Sequence, residues 1–194
     1  MTTAQDIIGF WRDEVGPKGW YDKDDATDEA IRTRFLDDWT RAQELGEAWA
    51  DTPEGALAAI ILTDQFPRNM FRGDGRSYDT DALSRRLADA AIAAGHDMAV
   101  EPPMRQFFYL PFMHSEDLAD QDRGIALFRD KMPGDNLRHA ELHREVIANF
   151  GRFPWRNDDL GRASTEAERA FVAAGGYGAM VQGKLSLDGS GGMV

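Results

Sequence analysis

Three stretches of the chain gather arginine, proline and aromatic residues: DQFPRNMFRG (64–73), PPMRQFFYLPFMHSED (102–117) and FGRFPWRNDDLGR (150–162). The chain carries 18 Arg against 4 Lys. Arginine is the residue that planar, two-pronged recognition of a carboxylate or phosphate requires. On that chemistry, Arg68, Arg72, Arg152 and Arg156 bind an anionic group, with Asp64 and Asn157 completing the polar set. Phe66, Tyr109 and Trp155 pack its apolar part. The competing use of the same arginines, together with Arg105, Arg144 and Arg162, is to bond internal carboxylates and helix-end carbonyls.

Asp64 follows Ile60 and Ile61 by four and three residues, which turns it toward the core. A carboxylate there needs a cation, and Arg68, one helical turn on, is the nearest. Asp64 is therefore expected to be buried and engaged by Arg68, Arg152 or Arg156. His139 and His143 share one helix face, and His114 lies on the apolar side of its own segment. His114, Glu116 and His143 are the candidate acid–base groups. His139 and His143 are a weak metal pair, because HAELH lacks the adjacent glutamate of the HExxH pattern. Ser115 beside His114 forms no nucleophile elbow. The GDG loop (73–75) has neither the lysine nor the preceding strand of a phosphate-cradling loop.

The elements that must position these groups read as helices. Ile31, Phe35, Trp39 and Ala42 form one stripe; Leu83, Leu87, Ala90 and Ala94 form another, stopped by Gly95. A third runs Leu118, Gln121, Ile125, Phe128, Met132, and a fourth from His139 through Val146 to Phe150. Thr165 with Glu168 fits a capping box. Residues 56–66 are apolar on every side and predict the most buried helix. No alternating run bounded by hairpin turns is present, so no sheet is expected. Prolines and glycines divide the chain into about eight helices with short links. Their starts show no constant period. Nothing reads as a linker, which gives a single all-α domain over 1–194, with 185–194 as a loose tail.

Composition excludes whole classes. With 22 basic and 34 acidic residues the net charge is −12, which argues against nucleic-acid or anionic-membrane binding. Cysteine is absent, so disulfides, thiolate metal sites and cysteine nucleophiles are excluded. The opening MTTAQDIIGFWRDE has no basic region before its apolar residues and does not read as a secretory signal, so the cytoplasm is the expected compartment. ALAAIIL (56–62) is far shorter than the roughly 20 residues of a membrane span. No motif calls for a cofactor, and nothing fixes the oligomeric state.

The same blocks carry a resemblance. FW (10–11), GWYDKDDATDEAIRTRF (19–35), LTDQFPRNMFRG (62–73), YLPFMHSED (109–117) and FGRFPWRNDDLGRASTEAE (150–168) resemble the DUF924 family of uncharacterised bacterial proteins over nearly the whole chain. The resemblance implies a fold similar to tetratricopeptide-like helical arrays in antiparallel hairpins, and it implies no activity. Trp155 stands where the family's FGRFPHRN has histidine, which leaves Arg156 and Asn157 as the polar pair of that motif. The leading expectation is a helical protein whose three clusters converge on a pocket for a small anionic molecule or a peptide carboxylate. One alternative is a metal-assisted or histidine-dependent hydrolase. The other is a protein-interaction scaffold with structural Arg–carboxylate networks.

Overall fold

The computed structural model describes residues 2–189, 192 and 193. Among these residues the regular structure is entirely helical, and the one β feature is an isolated bridge between Leu187 and Met193. None of the described helices is long and apolar enough to cross a membrane. Contacts divide the chain into two compact units, 1–111 and 112–194. The boundary falls inside the short helix Leu110–Met113, where composition does not change, so no linker announces it.

In the first unit, helices begin where a side-chain oxygen serves bare amides. Thr3 accepts from the Asp6 N–H at 3.3 Å while Asp6 accepts from the Thr3 N–H at 2.8 Å. Asp24 accepts from Thr27 at 2.9 Å and Thr52 from Gly55 at 3.1 Å. Gly55 has no room for a side chain, since a Cβ would lie 2.1 Å from the Trp49 carbonyl oxygen. The stripe expected to run from Ile31 to Ala42 is cut, because Arg41 leaves helical geometry between Asp25–Thr40 and Ala42–Trp49.

The apolar stretch is helical throughout, as Pro53–Ile60, Ile61–Gln65 and Phe66–Met70, and residues 55–67 are all buried. Its middle section widens to a π-turn just before Pro67. Proline brings no N–H to the preceding turn, and the Thr63 carbonyl accepts the Thr80 hydroxyl at 2.6 Å instead. Around this helix Phe10, Trp11, Phe35 and Phe66 pack edge-to-face or tilted, with ring centroids 4.9–6.0 Å apart. The helix Asp81–Ala93 buries Asp81, Ser84, Ala88 and Ala91, so its inward face lies one residue away from the expected leucine stripe. Gly95 follows it with φ 76°, the left-handed conformation expected of that position.

In the second unit, Asp117 caps Leu118–Lys131 by accepting from Ala119 N–H at 2.7 Å. That helix packs on Asp135–Phe150. Val146, Ile147, Phe153, Phe171 and Met180 form the core, and the Thr165–Glu168 capping box opens Glu166–Ala173 as expected. Of the segment 185–194, Leu185 and Leu187 pack against this core, and the Leu187 N–H donates to Glu145 at 3.1 Å. Residues 190, 191 and 194 lie outside the described residues.

Candidate functional site

The DQFPRNMFRG cluster belongs to the first unit. Asp64 is 1% exposed, with Arg68 Nη1 3.4 Å from its carboxylate and Gln65 Nε2 donating to it at 2.5 Å. The same guanidinium reaches Asp81 at 3.0 Å, so one arginine serves two carboxylates. Asp64 is thus buried and engaged by Arg68, as its position on the apolar helix requires. Tyr109, also fully buried, donates to Asp97 at 2.8 Å.

Arg72 is differently placed. Its Nε and Nη2 donate to the two oxygens of Asp28 at 2.6 and 2.9 Å, and buried Asn69 donates to the same carboxylate at 2.8 Å. Asp28 and Asn69 therefore hold the guanidinium in one orientation, and its Nη1 has no acceptor among the described residues. Arg72 lines a cleft of about 720 Å³, within the range of about 300–1,000 Å³ usual for ligand pockets. Four basic residues, Lys23, Arg32, Arg72 and Arg76, line it with four acidic ones, Asp25, Asp28, Glu29 and Asp74. Arg32 donates through Nε and Nη2 to the Met70 carbonyl. Arg76 grips Asp74 with Nε and Nη2 and lies 4.5 Å over the Phe71 ring, and its Nη1 has no acceptor among the described residues. Lys23 and Asp25 form no ion pair with another described residue.

The FGRFPWRNDDLGR cluster belongs to the second unit, and there the arginines are committed. Arg152 binds Glu168 through two bonds of 2.6 and 2.8 Å and donates to the Ala163 carbonyl. Arg162 binds Glu116 through 2.6 and 3.0 Å bonds and donates to Asn157. Burial opposes the charge on Glu116, but the Arg162 bonds and the Phe153 amide at 2.9 Å outweigh it and hold the carboxyl below the usual range. Glu116 is therefore ionised with no proton to give. Arg156 donates to the His114 carbonyl at 3.0 Å and lies 4.6 Å over Phe153. Ser115 donates to Asp120 at 2.6 Å, which accounts for its hydroxyl without a triad.

His143 sits among rings: Tyr177 at 4.4 Å, Phe153 at 5.4 Å and Trp155 at 6.0 Å between centroids. Its Nδ1–H donates to the His139 carbonyl at 2.9 Å, which leaves Nε2 as the lone-pair nitrogen. Burial pushes its pKa down to about 3, and the charges of His114 and Arg156 act in the same sense. Such an imidazole accepts hydrogen bonds but is a poor proton acceptor at neutral pH. His139 Nδ1 pairs with the Tyr177 hydroxyl. Among the described residues no three His, Asp or Glu side chains are grouped to hold a metal, so the weak His139–His143 metal pair gains no third ligand. NMR offers a direct check. The His143 ring is expected to stay in the neutral Nδ1–H form down to about pH 5, where an ordinary histidine with a midpoint near 6.5 is mostly charged. Because the unfolded chain binds that proton first, stability falls as pH drops through this window. A His143 midpoint near 6.5 contradicts the burial argument.

Sequence reasoning missed Asp28, Asn69 and Tyr177. Asp28 was open to discovery: it precedes Ile31 and Phe35 by three and seven residues, on the stripe both bury.

A family model described as a bacterial protein of unknown function (DUF924) matches residues 7–176. The chain belongs to the DUF924 family. The match spans both units and includes every candidate residue discussed above except Tyr177. A solved structure of a protein of unknown function from Agrobacterium tumefaciens is 46% identical to this DUF924 chain, with a TM-score of 0.83 over 87% of this chain and 96% of that one. No match was found among curated proteins. Neither comparison assigns a ligand to the DUF924 fold.

Proposed function

We propose that the protein is a helical binding module that takes a small ligand through a carboxylate or phosphate group in the Arg72 cleft. The observation that carries this reading is the mounting of Arg72. Asp28 and Asn69, both buried, fix its guanidinium, Nη1 has no acceptor among the described residues, and Arg72 lines a cleft of about 720 Å³. A cation held rigid by partners behind it loses little freedom when an anion binds in front. Arg76, steadied on the Phe71 ring, adds a second guanidinium to the cleft lining. The pairing of Arg152 with Glu168 and of Arg162 with Glu116 supports a strut role for the second unit's arginines, in line with the scaffold alternative. The low basicity of His143 and the ionised state of Glu116 favour binding over hydrolysis.

Calorimetry and thermal-shift titrations of the full chain with acetate, succinate and inorganic phosphate test this. A binder raises Tm by mass action. Arg76→Ala, an exposed change, is expected to weaken it about tenfold, equivalent to about 1.4 kcal/mol. Arg72→Ala is expected to abolish it. Absence of any shift with carboxylates or phosphate, free or as part of a larger molecule, defeats the reading.

A further inference from the structure

Resting on that reading, we infer that the Arg72 cleft selects a small zwitterion, a molecule carrying a carboxylate and an ammonium group together, of which a free α-amino acid is the simplest case. The first reason is the balance of its lining, four basic residues against four acidic ones. A pure anion meets as much repulsion as attraction there, whereas a ligand with both charges can satisfy both signs. The second reason is which groups remain available. Asp28 is bonded by Arg72 and Asn69, Arg76 is paired with Asp74, and Arg32 is paired with Glu29. The cleft groups left without an ion pair among the described residues are of opposite sign and two residues apart, Lys23 and Asp25. Asp25 is within electrostatic reach of Arg72. A carboxylate on the outer edge of Arg72 with Lys23 beside it, and an ammonium on Asp25, uses each available charge once. Phe71 supplies an apolar wall for the rest of the molecule.

The third reason is long-range. The protein carries a net charge of −12, which repels a free anion once it comes within about a Debye length of the surface, roughly 8 Å at physiological salt. A zwitterion has no net charge and approaches without that penalty. Its two charges are felt only at contact, where the cleft offers a partner for each.

The test is calorimetric titration of the full chain with the standard L-amino acids, their N-acetyl derivatives, their carboxamides and inorganic phosphate. At least one free amino acid is expected to bind, and to lose about tenfold or more in affinity when either its amine is acetylated or its carboxylate is amidated. Asp25→Asn, at an exposed position, is expected to weaken the free amino acid about tenfold while leaving its N-acetyl form unweakened. Lys23→Ala is expected to weaken both. If N-acetyl amino acids or phosphate bind as tightly as free amino acids, or if Asp25→Asn leaves amino-acid affinity unchanged, the zwitterion inference is overturned and the anion reading stands. If amidated amino acids bind as tightly as the free ones, or nothing in the panel binds, both fall.

Discussion

Replacing Arg68 by methionine is expected to lower the unfolding free energy by about 3–5 kcal/mol, the usual cost of breaking a buried ion pair from one side. The guanidinium lies 3.4 Å from Asp64 and 3.0 Å from Asp81, and it also donates to the Asp64 carbonyl. Asp64 is 1% exposed, so methionine would fill the stem's volume while leaving a carboxylate in the core without this cation. Lysine should recover part of the loss, because its single ammonium cannot span two carboxylates and a carbonyl as the guanidinium fork does. Arg76→Ala supplies the comparison. Its pair with Asp74 is solvent-exposed on both sides, and such pairs are worth about 0–1 kcal/mol. Urea denaturation of the three variants reads the difference. An Arg68→Met loss no larger than that of Arg76→Ala would show that this buried network does not hold the first unit together.

What the sequence revealed and what it hid follow from how local each signal is. The Thr165–Glu168 capping box and the Gly95 stop depend on residues three or four apart, and both are where their spacing puts them. The Asp64–Arg68 pair is likewise one turn long. Arg72 finds its carboxylate 44 residues away at Asp28, and Arg162 finds Glu116 46 residues away. No helical period reports such pairings, so the sequence could mark these arginines as important without separating the mounted one, Arg72, from the struts. The inward face of Asp81–Ala93 departs from the leucine stripe for another reason. Hydrophobic periodicity weights leucine, yet close packing there buries Ser84, Ala88 and Ala91, and the leucines lie half-buried beside them. The π-turn before Pro67 was legible only as an interruption. The partner that relieves it, Thr80, comes from a segment that carries no mark of the task.

The same distinction between local and distant partners sets the acid response of the second unit. Glu168 closes the Thr165 capping box and also takes both prongs of Arg152, at 2.6 and 2.8 Å, while only 2% exposed. The Arg152 hydrogen bonds are the main cause that carries its pKa from an ordinary 4.5 down to about 2, against the effect of burial. A depressed carboxylate stabilises the fold wherever the unfolded chain is also ionised, so the contribution is complete above about pH 4.5. Between 4.5 and about 2 the unfolded chain takes up a proton that the folded chain refuses, and stability declines. Below about 2 both states are protonated and the contribution is gone. The drop corresponds to about 3 kcal/mol at neutral pH, somewhat less once the partial exposure of Arg152 is allowed for. Glu168→Gln keeps an oxygen for the Thr165 amide but removes the charge. It is therefore expected to lose about 2–3 kcal/mol at pH 7. Its stability should also fall less steeply with acid between pH 4.5 and 2, until the two proteins converge. Denaturation curves collected across that range decide the matter. A gap between wild type and Glu168→Gln that is the same at pH 2 as at pH 7 would mean that shape alone, and not the Arg152 charge, makes this residue important.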